Sequence, residues 1–250
     1  MNSFVRVMSW NIHGGIGRDG RYDLGRTIAR IKAFDPDIAA FQEVDTRGRA
    51  GGPSDFDLLA KAAGGHQVEA RTITAPDGHY GHMLVSRWPI ERTTLHDLSF
   101  GAREPRFAIE AVVAHPRAPI HVVAVHLGLG WWERRRQARK LAAVAKRWPE
   151  LTLMLGDFND WTPLGLVRQR LAAAFPDRSR SVTFPACWPL LRLDRIYARP
   201  PGALHAAWAD HGAATASDHL PVLAAIDTDA LPARALAVTA AAGTADPDGR

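Results

Sequence analysis

Cysteine is all but missing from this chain: Cys187 stands alone among 250 residues. A single thiol excludes an internal disulfide and any zinc site built from several thiolates. Its simplest reading is a small, partly buried apolar side chain. No run of 18 apolar residues occurs, which excludes a membrane-spanning helix of ordinary length. The first residues carry Arg6 close behind Phe4 and Val5 and contain no apolar signal region, so a cytoplasmic protein is expected. The glycine run Gly14-Gly15-Ile16-Gly17 lacks the following Lys-Ser/Thr of a phosphate-binding loop, which leaves loop flexibility as its reading. Internal repeats and a convincing linker are also absent. One domain over residues 1–228 is therefore expected, and the chain is read as a monomer. Residues 229–250 are rich in Ala, Gly, Pro and Asp with almost no large apolar groups, the composition of a disordered tail.

What is present fits a globular body. Hydrophobic residues make up 46% of the chain, and eight Trp with nine Phe supply bulk for a core. The net charge of +5 and pI near 9.9 favour anionic partners, although a solvated Arg-rich surface accounts for the same excess. Strands are expected at Phe4 to Trp10, Ile38 to Phe41, Met83 to Ser86, Ile109 to Val113, Ile120 to His126, Leu151 to Leu155, Leu193 to Tyr197 and Leu220 to Ile226. Leu24, Ile28, Ile31 and Phe34 recur at helical spacing until Asp35-Pro36 ends the run. Short and long helices are expected over Asp57 to Ala63 and Trp132 to Trp148. The long one has Ala138, Leu141, Ala142, Ala145 and Trp148 on its apolar side and Arg135, Arg136, Arg139, Lys140 and Lys146 outside.

The most informative stretch is Leu153-Met154-Leu155-Gly156-Asp157-Phe158-Asn159-Asp160. An apolar run stops at a glycine, then presents a carboxylate and a carboxamide two residues apart. A strand end can hold both rigidly over the rim of a sheet. Asp-x-Asn alone occurs in many turns. Four comparable strand ends accompany it, at Ser9-Trp10-Asn11, Phe41-Gln42-Glu43, Val125-His126-Leu127 and Ser217-Asp218-His219. Each offers a metal ligand, a proton carrier or a neutral hydrogen-bonding group. Such a set suits hydrolysis at phosphorus.

Taken in order with Leu193-Asp194-Arg195-Ile196-Tyr197, these motifs resemble the endonuclease/exonuclease/phosphatase superfamily of metal-dependent phosphoesterases, over roughly residues 4 to 226. The resemblance implies a DNase I-like fold: a four-layer α/β sandwich in which two facing, mainly antiparallel sheets are flanked by helices, with the active site at one edge. Phosphate esters are anionic and repel hydroxide, so their hydrolysis needs positive charge and a positioned water. Mg²⁺ or Mn²⁺ takes oxygen ligands, and one or two carboxylates with waters suffice. Glu43 is the first choice as that ligand, as the family pattern also implies. Asp157 is the candidate to hold and deprotonate the attacking water, and Asn159 to orient it or a phosphate oxygen. Asn11 offers a neutral amide beside the metal. His219 could donate to the phosphoryl oxygens, with Asp194 matching the family's carboxylate that fixes its tautomer and keeps it protonated. Asp218 is then a second metal ligand or an outer group. His126 is assigned to the phosphate or the leaving group, and Arg106, where many relatives carry a basic residue before a strand, to the phosphate.

Each residue alone has a plainer reading. Asn11 and Asn159 can cap turns, Glu43 can be a solvated strand-end charge, His126 a core histidine, and Asp194 the partner of Arg192 or Arg195. His13, His79 and His82 sit in or near Gly-rich loops, and relatives usually carry Asn where His82 stands. Substrate is less legible. Inositol-polyphosphate phosphatases usually have a Cys-Asp-Arg triplet where this chain has Leu193-Asp194-Arg195, and the long basic loops of DNA-repair members are absent, although Arg47, Arg49 and the basic helix could meet phosphates. His126-Leu127-Gly128-Leu129 with Glu133-Arg134-Arg135-Arg136-Gln137, and Thr183-Phe184-Pro185 leading to Asp194, are similar to a bacterial subgroup with sphingomyelinase-like features. A lipid headgroup or another small phosphodiester is thus as credible as nucleic acid. Trp131-Trp132 beside the basic helix could touch an anionic membrane, or simply pack on the sandwich. The alternatives are a sequence-tolerant DNA endonuclease or exonuclease and, in another class, a catalytically silent anion-binding domain.

Overall fold

Val5 and Val7 face one way along the first strand, Met8 and Trp10 the other, and all four are buried. A strand with apolar residues on both faces must be covered on both, and that requirement organises the molecule. The computed structural model describes residues 4–49, 52–146, 151–161 and 165–230. Along the chain lie β1 (Phe4–Asn11), α1 (Leu24–Phe34), β2 (Ile38–Asp45), α2 (Asp55–Ala63), β3 (His66–Ala75), β4 (Gly78–Ser86), β5 (Ile90–Asp97) and β6 (Phe107–Val113). They are followed by β7 (Ile120–His126), α3 (Trp131–Ala145), β8 (Thr152–Asp157), α4 (Leu166–Ala172), β9 (Asp177–Arg178), β10 (Asp194–Arg199), β11 (Leu204–Ala209) and β12 (Val222–Asp227).

Two six-stranded sheets result, in the orders β11-β12-β1-β2-β4-β3 and β5-β6-β7-β8-β10-β9. The β1–β2 and β7–β8 pairs are parallel and the others antiparallel. Their inner faces share one core, with Val7, Ile38 and Leu84 from the first sheet and Ile109, Val122, Leu155 and Ile196 from the second. On the outer face of the first sheet, Ile31 of α1 and Phe56 and Leu59 of α2 cover Met8, Trp10 and Phe41. On the outer face of the second, Ala138 and Leu141 of α3 and Val167 and Leu171 of α4 cover Val123, Val125 and Met154. This is the four-layer α/β sandwich that the resemblance implies.

Local chemistry sets the helix ends. Ser54 caps α2 by accepting from Phe56 N at 3.2 Å, so that helix starts two residues earlier than its apolar spacing suggests. Asp35 takes a left-handed φ of 52° and Pro36 follows, which ends α1 where the sequence predicts. β2 runs on past Phe41 to Asp45 through a bulge between Phe41 and Val44. The sequence does not predict β3, β5, β9 and β11. All four are sheet edges, where β5 exposes most of its length and lacks an alternating apolar pattern. Cys187 is exposed rather than partly buried, since it rides on a loop tip beside Trp188. The continuation of α3 to Trp148 and the tail beyond Ala230 lie outside the described residues. Among the described residues, no helix is long and apolar enough to cross a membrane.

Candidate active site

Strand register builds the centre of the site. In the second sheet His126 of β7 pairs with Asp157 of β8, and Asp157 pairs with Asp194 of β10. Side chains alternate along a strand, and Ala124, Leu155 and Ile196, each two residues deeper, belong to the core between the sheets. His126, Asp157 and Asp194 therefore continue that inner face to its rim. Asn11, at the end of β1, brings the first sheet to the same edge. Gly156 takes a φ of 149°, and a Cβ there would overlap the Val125 carbonyl oxygen. Only glycine permits the close β7–β8 pairing beside Asp157.

Asn11 ties the sheets together. Its Nδ2 donates to Glu43 Oε1 at 2.8 Å and to Asp157 Oδ2 at 3.1 Å. Asp157 also accepts from Asn159 N at 2.9 Å, while Asn159 Nδ2 donates to the Leu127 carbonyl at 2.9 Å. Glu43 and Asn159 both hold left-handed backbones, with φ of 56° and 50°. Such conformations cost energy in residues with a Cβ and persist where surrounding contacts enforce them, often at functional sites.

The two histidines are held in opposite charge states. His219 Nδ1 lies 2.8 Å from Asp194 Oδ2, and Trp10 Nε1 donates to the His219 carbonyl at 3.0 Å. Phe184 sits against the imidazole with ring centroids 4.8 Å apart. Burial alone would lower the pKa of His219, but the charge and hydrogen bond of Asp194, with Asp157 and Asp218 beyond, raise it to about 10. At neutral pH it is an imidazolium. His126 has Arg106 Nη1 at 2.9 Å from its Nδ1. A guanidinium can only donate, so Nδ1 accepts and the ring proton sits on Nε2. Burial, then the nearby Arg106 charge, pushes the His126 pKa well below the usual value and keeps the ring neutral. Its Nε2 points between Glu43 Oε1 and Asp157 Oδ2, 3.8 Å from each. Arg106 is buried and also pairs with Glu104 at 3.0 Å. The guanidinium expected at a phosphate thus stands behind His126.

Asp157 sits where these interactions meet. Burial raises its pKa to about 7, with Asp194 adding to the rise and His219 opposing it. Asp157, Asp194 and His219 bring ligand atoms within 4.8 Å of one another. His219 is hydrogen-bonded to Asp194, which makes this trio a charge-paired set in the arrangement shown. The oxygen donors open to solvent are Glu43, 27% exposed, and Asp218, 42% exposed, with the Asn11 amide beside Glu43. Four carboxylates and one imidazolium leave this edge short of positive charge, and an all-oxygen donor set without thiolate suits a hard divalent cation. The residues present fit Mg²⁺ or Mn²⁺.

The structure brings together Asn11, Glu43, His126, Asp157, Asn159, Asp194 and His219 by direct contact, and Asp218 lies beside His219 at the same mouth. His13, which the sequence left idle, has Nδ1 3.8 Å from Asp218 Oδ1 and its backbone N donating to Asn11 Oδ1. His82 is buried in the inner face beneath the site, where burial and Arg106 push its pKa down to about 3. Three neighbours go unpredicted: Tyr80, whose pKa burial raises, Glu104, which pairs with the Arg106 behind His126, and Phe184, which packs on His219. Glu104 lies only two residues from Arg106, a spacing that on an extended chain places both side chains on one face.

The sequence model of the endonuclease/exonuclease/phosphatase family matches residues 8–219, from β1 to the second histidine. The uncharacterised protein YbhP of Escherichia coli (strain K12) is 31% identical over 252 aligned positions, which cover 88% of this chain and 95% of that protein. An endonuclease/exonuclease/phosphatase from Beutenbergia cavernae superposes with a TM-score of 0.71 at 23% identity, over 90% of this chain and 72% of that one. TDP2 of D. rerio, complexed with a single strand DNA product, superposes with a TM-score of 0.61 at 16% identity, over 90% of this chain and 99% of that one. On the family match and the YbhP relationship together, the chain belongs to the endonuclease/exonuclease/phosphatase family, whose members hydrolyse phosphoric ester bonds.

Proposed function

We propose that this protein is a divalent-metal-dependent phosphodiesterase in which Asp157 positions the attacking water and takes its proton. The observation that carries the reading is Asp157 itself: a buried carboxylate with a pKa near 7, set between a neutral histidine and a charged one. A base works best when its pKa lies near the working pH. Asn159 N and Asn11 Nδ2 fix the direction of the carboxylate. His126 presents Nε2–H to the mouth and donates a hydrogen bond to the phosphate or to the departing oxygen. His219, held charged by Asp194, stabilises the negative charge that grows on the non-bridging oxygens as water attacks in line with the leaving group. Glu43, Asp218 and Asn11 are the residues that would hold Mg²⁺ or Mn²⁺. When bound, the cation supplies further positive charge at the phosphoryl group.

The substrate is a phosphodiester, with a lipid headgroup or another small diester as the first reading. A sequence-tolerant DNA endonuclease or exonuclease is the second, favoured by the single strand DNA product held by the related fold of D. rerio TDP2. A silent anion binder is disfavoured by the presence of every group the reaction needs. The catalytic unit is proposed to span residues 1–228. Hydrolysis of bis(p-nitrophenyl) phosphate with Mg²⁺ or Mn²⁺, abolished by EDTA and restored by added metal, tests the proposal. Absence of turnover at every metal concentration would sink it. Nicking of plasmid DNA in a parallel assay would move the second reading ahead of the first.

A further inference from the structure

Three connections leave the catalytic edge of the second sheet, the first running into the start of α3, and each carries large apolar side chains into solvent. After His126 come Leu129, Trp131 and Trp132, which are 62%, 40% and 64% exposed. After Asp157 comes Trp161, and before Asp194 come Trp188 and Leu190, exposed by 72% and 64%. Because β7, β8 and β10 are neighbours with His126, Asp157 and Asp194 in register, the three connections emerge side by side. The last is anchored to the site, since Ala186 N donates to the Asp218 carbonyl at 2.7 Å and Phe184 packs on His219. Elsewhere among the described residues only Tyr22, Leu95 and Trp208 are large, apolar and exposed. Apolar surface concentrated around one mouth marks a contact face.

Cations accompany this rim. Arg135 lies over both Trp131 and Trp132, 5.6 and 5.5 Å from the ring centroids, and Arg134 lies 4.1 Å from that of Trp161. Phe100, Trp132, Arg135, Arg136 and Arg139 line a groove on the exposed side of α3 that contains no carboxylate among its described residues. Aromatic rings with arginines suit either single-stranded nucleic acid, through base stacking, or an anionic bilayer, through interfacial insertion. Two observations favour the bilayer. Leu129 and Leu190 have no π face to offer a base but insert readily among acyl chains. The faces of Trp131 and Trp132 are already approached by Arg135, while Trp132 remains widely exposed.

We infer that this rim docks the protein on an anionic phospholipid bilayer. Leu129, Trp132, Trp188 and Leu190 enter the interface, Arg136 and Arg139 meet lipid phosphates, and the cleft is brought over a lipid phosphodiester. The last clause rests on the phosphodiesterase reading, whereas the docking itself does not. The test is sedimentation of the full chain with vesicles of phosphatidylglycerol and phosphatidylcholine, beside vesicles of phosphatidylcholine alone, with tryptophan emission recorded. The expected result is binding to the anionic vesicles with a blue shift, weakened at least about tenfold by the Trp132→Ser/Leu190→Ser pair and by the Arg136→Glu/Arg139→Glu pair. Both pairs should retain their thermal midpoint and their turnover of soluble bis(p-nitrophenyl) phosphate. Failure to bind anionic vesicles overturns the inference, as does equal binding by wild type and variants. Binding of a single-stranded oligonucleotide, lost in the same variants while vesicles are ignored, would make the rim a nucleic-acid track and overturn it too. Turnover of the soluble diester without vesicles reports on the phosphodiesterase reading alone, so the two can fail separately.

Discussion

At the scale of the residue, Asp157 and Glu43 share Asn11 as hydrogen-bond partner yet are asked for different work. Asp157→Asn keeps the shape of the side chain and removes its capacity to accept a proton. Its kcat should fall by roughly 10² to 10⁴ at all metal concentrations, the usual contribution of a positioned base. Glu43→Gln should instead shift the metal dependence, and excess Mg²⁺ or Mn²⁺ should restore part of the rate. A metal titration of both variants separates these outcomes, and full rescue of Asp157→Asn by metal would reassign it as a ligand. Arg106 offers a second contrast. If it fixes the tautomer of His126, Arg106→Met should lower kcat by roughly 10-fold with little change in KM, as loss of an orienting partner does. A direct phosphate contact would show itself as a raised KM.

At the scale of the element, the decisive feature is how close β7 and β8 run beside the site. Gly156→Ala would drive a methyl group into the Val125 carbonyl at a φ that L residues rarely adopt. The variant should lose at least about 2 kcal/mol of stability, a fall in melting temperature of roughly 4–8 °C, and most of its activity. Thermal unfolding followed by circular dichroism checks it, and an unchanged midpoint would show that the pairing can widen there. The strands that carry the site were legible because they are buried on both faces and end in polar motifs. Edge strands such as β5 were not, since solvent accepts almost any side chain on them. The partners of the catalytic groups were harder still. Arg106 meets His126 across the β6–β7 side of the sheet, and such contacts depend on register, which one chain read alone does not supply. The left-handed bulge at Glu43 leaves no more trace in the sequence than an apolar run that ends at Phe41.

At the scale of the whole molecule, protonation opposes the fold. Burial lowers the pKa of His121 to about 4 despite its 2.9 Å approach to Glu110, and burial lowers that of His82 to about 3. Unfolded histidine titrates near 6.5. Above that pH the neutral rings contribute their full share. As pH falls below it, the unfolded chain takes up protons that the folded one refuses, and stability drops down to pH 4 for His121 and 3 for His82. His219 has a raised pKa and acts in the opposite sense, its contribution being greatest below 6.5 and lost towards pH 10. Asp157, raised to about 7, also takes up its proton in the folded state first and favours the fold as pH falls below that value, but with His126 held neutral too the three depressed rings outweigh the two raised groups. The urea midpoint should therefore be lower at pH 5 than at pH 7.5, and His121→Gln should narrow the gap. A midpoint that rises on acidification would contradict this balance.

β1 lies in the interior of its sheet and pairs with β12, and Trp10 is hydrogen-bonded to His219 across 209 positions of sequence. A ribosome delivers roughly 5–20 residues per second, so about 10–40 s separate the emergence of these two ends. During that interval β1 has no β12 to close against, and Asp194 has no imidazole to hold. If His219 works as proposed, the growing polypeptide gains its phosphodiesterase activity only when that histidine and β12 emerge, and a chain released before them carries none.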